Sequence, residues 1–107
     1  MATVRMTQIT AMVLQAIAAG HQYGFDVMDA TGLASGTVYP ALRRLEEAGV
    51  LRGRWEHAGA AHKDGRPPRR LYELTDVGRE SLARAAQKLA DVRALISSLS
   101  SPGEVSP

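Results

Sequence analysis

The chain has 107 residues, 45% of them hydrophobic, a formal net charge of +2 and no cysteine. That length suits one domain with a thin core, and the missing thiols exclude disulfides, thiolate zinc sites, cysteine nucleophiles and thiol redox sensing. No apolar run approaches the ~18 residues of a membrane span and residues 1–5 lack a signal-peptide stretch, so a soluble cytoplasmic protein is expected.

The first predicted helix carries Ile9, Met12, Val13, Ala16 and Ile17 as one apolar stripe at helical spacing. Thr7 is its expected N-cap and Gly20 its stop. A short second helix follows, with Tyr23, Val27 and Met28 facing the core, and ends at Gly32. Only Leu33 and Ala34 separate that glycine from Ser35. Two helices joined by so tight a turn make a helix-turn-helix.

The third helix starts among Ser35, Gly36 and Thr37, all small or capping residues. Pro40 has no N–H and is cheapest near a helix start. The expected N-cap is therefore Gly36 or Thr37. Val38, Ala41, Leu42, Leu45 and Ala48 form the buried stripe, and Gly49 ends the helix. At about 100° per residue, Gly36, Pro40, Arg43 and Glu47 point away from the core. Thr37 and Arg44 lie on one flank, Tyr39 and Glu46 on the other. Small residues at the N-terminal end and acids at the other suit a helix whose N-terminus approaches phosphate.

Past Gly49 the period changes to two. Leu51, Gly53 and Trp55 alternate with Arg52, Arg54 and Glu56. A second strand places Arg70, Tyr72 and Leu74 in alternation with Arg69, Leu71 and Glu73. The Gly/Pro-rich stretch between them, residues 58–68, is read as an unpacked loop whose charges are available to a partner. The result is a basic β-hairpin, or wing. Trp55 is read as core rather than as the wall of an effector pocket. Arg52 and Arg54 point outward, able to pair with Glu56 or Glu73.

Thr75 and Asp76 open a last helix. Leu82, Ala85, Leu89, Val92, Ile96 and Leu99 recur at spacings of 3 and 4, a heptad seam longer than a small wing domain can cover. It favours a second copy of the chain as partner. The fold class is mainly α with a two-stranded hairpin: a winged helix-turn-helix over residues 1–75, a dimerisation helix over 76–99, and a Ser/Pro/Gly-rich, disordered tail over 100–107.

Between Arg43 and Arg70 stand seven arginines and one lysine against four acids, a net of +4, so the rest of the chain sums to −2. Charge gathered in the middle third is the footprint of a polyanion-binding surface. No phosphate loop, metal constellation or nucleophile–base pair is present, so no enzyme and no cofactor are expected. His21, His57 and His62 lack metal-ligand spacing, and the methionines read as core filler. The rival to DNA binding is a winged helix serving as a protein-interaction module, which would more often carry apolar groups where this chain has Lys63, Arg66, Arg69 and Arg70.

Several motifs together resemble the PadR family of transcriptional regulators, in particular its small, short-turn members. They are the Tyr23-Gly24 step, the run Ser35-Gly36-Thr37-Val38-Tyr39-Pro40-Ala41-Leu42-Arg43-Arg44-Leu45-Glu46 with Gly49 after it, Trp55, the run Gly65-Arg66-Pro67-Pro68-Arg69-Arg70-Leu71-Tyr72-Glu73-Leu74-Thr75, and Gly78. The resemblance spans about Ile9 to Leu99. The chain departs from the pattern where the family often writes Ser-x-Gly-Thr: Ala34 holds the serine position and the serine is Ser35. The resemblance implies a homodimeric winged-helix regulator, usually a repressor, that binds double-stranded DNA at a near-palindromic operator. The third helix would enter the major groove and the wing would reach the flanking backbone or minor groove. The expected DNA-contact residues are Ser35, Gly36, Thr37, Tyr39, Pro40, Arg43 and Arg44 on the helix and Lys63, Arg66, Arg69 and Arg70 on the wing. A small-molecule effector is not identified by any residue.

Overall fold

A computed structural model describes residues 6–99. In chain order the elements are α1 (Gln8–Ala18), α2 (Gly24–Thr31), α3 (Ser35–Glu47), β1 (Leu51–Trp55), α4 (Ala58–Lys63), β2 (Arg70–Leu74) and α5 (Asp76–Leu99). The class is the expected one, helices around a two-stranded antiparallel sheet. The segment 100–107, expected as a disordered tail, lies outside the described residues.

Local chemistry sets the helix ends. The Thr7 hydroxyl accepts a hydrogen bond from the Thr10 N–H at 3.1 Å and caps α1. Gly32 ends α2 in the left-handed region, at φ 76°, where a residue with a Cβ would be strained. Val13, Leu14, Ala16 and Ile17 of α1 meet Val27 of α2, Val38, Ala41, Leu42 and Leu45 of α3, and Val50, Leu51 and Tyr72 of the hairpin in one core. Leu14 is fully buried although it falls outside the expected stripe. Ile9, inside that stripe, is 40% exposed, because α1 begins beyond the edge of the core.

The start of α3 differs from the expectation built on Pro40. Its N-cap is Ala34, not Gly36 or Thr37, and no side chain caps the helix. Pro40 lies inside the helix, so the bond it cannot donate leaves the Gly36 carbonyl without a helical partner. Gly36 and Pro40 are both exposed, and water can serve that carbonyl. The far end follows the sequence: the Val50 N–H reaches the Leu45 carbonyl at 2.9 Å and the Gly49 N–H the Glu46 carbonyl at 3.1 Å, the Schellman arrangement.

The hairpin pairs Leu51 with Leu74, Gly53 with Tyr72 and Trp55 with Arg70. Its other edge takes a short third segment, with the Tyr72 N–H donating to the Gln22 carbonyl at 2.9 Å and Tyr23 bridging Leu71. Two expectations fail here. Trp55 is 64% exposed rather than core, since its strand face runs past the end of the packed interior. The stretch expected as loop contains α4, and Ala61 within it is fully buried. Its alanines favour a helical turn, which packs down although the neighbouring glycines and prolines cannot.

The α5 helix is anchored at its start. The Thr75 hydroxyl lies 2.6 Å from the Gly49 carbonyl and accepts from the Gly78 N–H at 3.1 Å. A Cβ on Gly78 would collide with the Val50 carbonyl, so only glycine allows this approach. Along its 24 residues, roughly 36 Å of helix, only Gly78 is buried. Leu82 and Ala85 are half-buried beside α1, and every residue from 86 onward to the helix end is exposed.

Candidate nucleic-acid interface

The α3 helix presents its polar face to solvent because its apolar stripe is occupied by the core. Ser35, Gly36, Pro40, Arg43, Arg44 and Glu47 are exposed and Thr37 is half-buried. Among the described residues neither Arg43 nor Arg44 forms an ion pair. Tyr39 has a more defined seat. A Cβ on Gly24 would fall 2.8 Å from the Tyr39 Cζ, so the glycine at the head of α2 makes room for the phenol ring. The ring bridges α2 and α3 and stays 44% exposed.

The wing cations are held differently. Arg66 forms a two-pronged ion pair with the Glu56 carboxylate, its Nη2 at 3.0 Å from Oε2, and also reaches Asp64 at 3.2 Å. Glu56 further accepts from Arg69 Nη2 at 3.2 Å, from the Arg69 backbone N–H at 3.3 Å and from the Tyr23 hydroxyl at 3.3 Å. The Arg69 guanidinium lies 3.8 Å over the Tyr23 ring. The Arg66 hydrogen bonds, helped by those from Arg69 and opposed by burial, hold the Glu56 carboxyl at about 2, well below its ordinary 4.5. Glu56 in turn raises the Arg66 guanidinium.

Arg70 points along the other face of the hairpin. Its Nη2 meets Glu46 of α3 at 2.5 Å and ties the wing to the helix. Gly53 leaves the space for this pair, since a Cβ there would stand 2.7 Å from Glu46 Oε2 and 2.8 Å from Arg70 Nη2. Burial first, then the Glu46 charge, raises the neighbouring Tyr72 phenol. Arg54 pairs with Glu73 at 2.7 Å and lowers its carboxyl. Lys63 and Arg52 are exposed and form no ion pair among the described residues.

The expected site residues therefore fall into two groups. The α3 set is together and open. The wing set is together, but Arg66, Arg69 and Arg70 are bound by carboxylates and, among the described residues, only Lys63 of the set forms no ion pair. Sequence reasoning considered Glu56 as a partner for Arg52 or Arg54 and missed its grip on Arg66 and Arg69. The signal was its position one residue past Trp55, which brings it opposite Arg69: the Glu56 N–H donates to the Arg69 carbonyl at 2.7 Å.

Along α5 the seam emerges from the body of the domain. Leu89 is 52%, Val92 43%, Ile96 58% and Leu99 77% exposed. A groove of about 600 Å³ separates α1 from α5, its apolar floor made by Met12, Ala16, Leu82 and Ala85 among others. No group of three or more His, Cys, Asp or Glu able to hold a metal occurs among the described residues, and no helix there is long and apolar enough to cross a membrane.

The model of the transcriptional regulator PadR-like family matches residues 13–84. Among solved structures, a PadR family transcription regulator from Clostridium difficile is similar at TM-score 0.75 and 18% identity, over 87% of this chain and 98% of that one. A PadR-like transcriptional regulator from Bacillus cereus is similar at TM-score 0.69 and 23% identity, over 85% and 89%. The PcaV transcriptional regulator from Streptomyces coelicolor, solved with its natural ligand, is similar at TM-score 0.73 and 22% identity, over 97% and 70%. No curated protein matches the sequence.

Proposed function

The chain belongs to the PadR-like family of transcriptional regulators, and from that premise we propose that it binds a near-palindromic DNA operator as a homodimer and acts as a repressor. The observation that carries the DNA reading is the pair Arg43 and Arg44, exposed on the outward side of α3 and with no carboxylate partner among the described residues. An arginine so placed bridges guanine O6 and N7 or grips a phosphate. Ser35 and Thr37 stand at the helix entrance with hydroxyls to offer phosphate oxygens. No side chain caps that end, which leaves backbone N–H groups for an anion. Tyr39, seated against Gly24, adds a further hydroxyl on the exposed side of α3. Gly36 and Pro40 keep the surface low where a base edge must come close. Lys63 on the wing follows the flanking backbone, and Arg66, Arg69 and Arg70, each held by a carboxylate, shape the hairpin that carries it.

The homodimer reading rests on the seam. Leu89, Val92, Ile96 and Leu99 continue the line begun by Leu82 and Ala85, on a helix that has left its own domain. A second copy offers the same stripe, and paired stripes of this spacing bury each other. Two α3 helices would then lie roughly 34 Å apart, one turn of DNA. Residues 1–75 would read DNA and residues 76–99 would pair the subunits.

One observation favours the rival reading, a protein-interaction module: three of the four wing cations are neutralised within the chain. A gel shift with pooled genomic duplex in low salt separates the two. Retarded complexes that disappear as salt rises support the DNA reading, and absence of any shift sinks it. For the dimer, Leu89→Asp puts an unpaired charge in the seam, and sizing chromatography is expected to show monomer or insoluble protein. An unchanged dimer would move the interface elsewhere.

A further inference from the structure

The inner face of the hairpin runs outward past the core. Leu51, Gly53 and Trp55 share that face with their partners Leu74, Tyr72 and Arg70. Leu51 and Tyr72 are buried, and Gly53 abuts the Glu46 carboxylate of α3, so the face looks onto α3. Trp55 lies at its open end and is 64% exposed. The indole is not left loose. The Arg70 guanidinium sits 5.3 Å from the ring centroid, and Glu46 fixes that guanidinium at 2.5 Å. The one tryptophan of the chain is thus held by the arginine that ties the wing to the α3 helix.

We propose that Trp55 is a DNA-contact residue: its indole packs against the sugar–phosphate backbone that passes between α3 and the wing, and its Nε1–H donates to a phosphate oxygen. The inference rests on the DNA-binding reading. Two features carry it further than exposure does. An indole joins a broad apolar body to a single donor, and a deoxyribose next to a phosphate offers the matching apolar face and acceptor. Second, the acid beneath the site is already neutralised: Glu46, which would repel a phosphate, is covered by Arg70. The contact is uncharged, so it adds affinity without releasing counterions.

The sole tryptophan makes the wild-type protein its own reporter. A fluorescein-labelled duplex of random sequence, long enough for two half-sites roughly 34 Å apart, is titrated in about 50 mM salt while its anisotropy and the indole emission are followed together. The expected result is a change in emission that tracks the anisotropy with one midpoint. Trp55→Ala should bind about tenfold more weakly, the scale of losing one aromatic contact, with the slope of log K against log salt unchanged. Trp55→Phe, which keeps a ring and loses the donor, should fall between the two. A rise in anisotropy with silent emission, or full affinity in both variants, overturns the Trp55 assignment and leaves DNA binding standing. No anisotropy change at all overturns the DNA-binding reading and this inference with it.

Discussion

The α3 face and the wing each carry arginines, but the two regions hold them in opposite ways. Arg43 and Arg44 stand in solvent with no acid partner among the described residues, whereas Arg66, Arg69 and Arg70 each meet a carboxylate. Glu56 is little exposed, and pulling Arg66 away would take its two-pronged partner and leave only Arg69 and Tyr23 to hold its charge, a costly state. Cations counted along the sequence therefore overstate the charge that the surface offers. In the wing much of it maintains shape: Glu56 gathers Tyr23, Arg66 and Arg69, and Glu46 ties Arg70 to α3.

The contrast can be broken most directly on α3. Arg43→Ala with Arg44→Ala should weaken duplex binding about 100-fold and make the salt slope of a dimer shallower by roughly 4, as measured by anisotropy at several salt concentrations. An unchanged slope would mean that these arginines do not meet phosphate. Glu56→Gln comes next. It keeps the size of the side chain and removes the charge that Arg66 and Arg69 hold, and the melting temperature should fall by several degrees. Calorimetry against pH sharpens the point. The Glu56 carboxyl sits at about 2 in the folded chain against an ordinary 4.5. Its stabilisation is therefore complete above about pH 4.5 and is lost as pH falls toward 2. The variant should lose less stability than wild type across that window, and parallel curves would place the hub's contribution elsewhere.

Two wing substitutions give the smallest effects and the finest comparison. Lys63→Ala should weaken binding only a few-fold and make the dimer's slope shallower by roughly 2. Arg66→Ala should lower the melting temperature and leave the slope as it was. If the two variants exchange these signatures, the assignment of bracing and contacting cations is reversed.

What the sequence disclosed was mostly local. Thr7, Gly32 and Gly49 begin or end helices through bonds to residues within a few positions, as Thr75 does through Gly78, and short-range patterns carry that information; the Thr75 bond to Gly49 is long-range. The α3 start was misjudged because Pro40 restricts only one hydrogen bond, and the exposed side of a helix tolerates its loss. Trp55 was misjudged because alternation assigns a face and not a depth: Leu51 and Trp55 share one face, and only Leu51 lies over the core. The ion pairs were out of reach for a different reason. Glu46 and Arg70 are 24 positions apart, and their meeting depends on how the hairpin folds back on α3. The α4 turn was hidden by the glycines and prolines on either side of its alanines.

The salt dependence of wild-type duplex binding tests the central claim most directly. On α3 and the wing, the four cations that form no ion pair among the described residues, Arg43, Arg44, Arg52 and Lys63, correspond to a slope of log K against log salt of roughly −7 for a dimer. That value is the result expected from open α3 arginines and a braced wing. A slope near −13, about that of seven phosphate contacts per subunit, would show the wing arginines released to DNA and contradict the account of the wing. A slope near zero would contradict DNA binding itself.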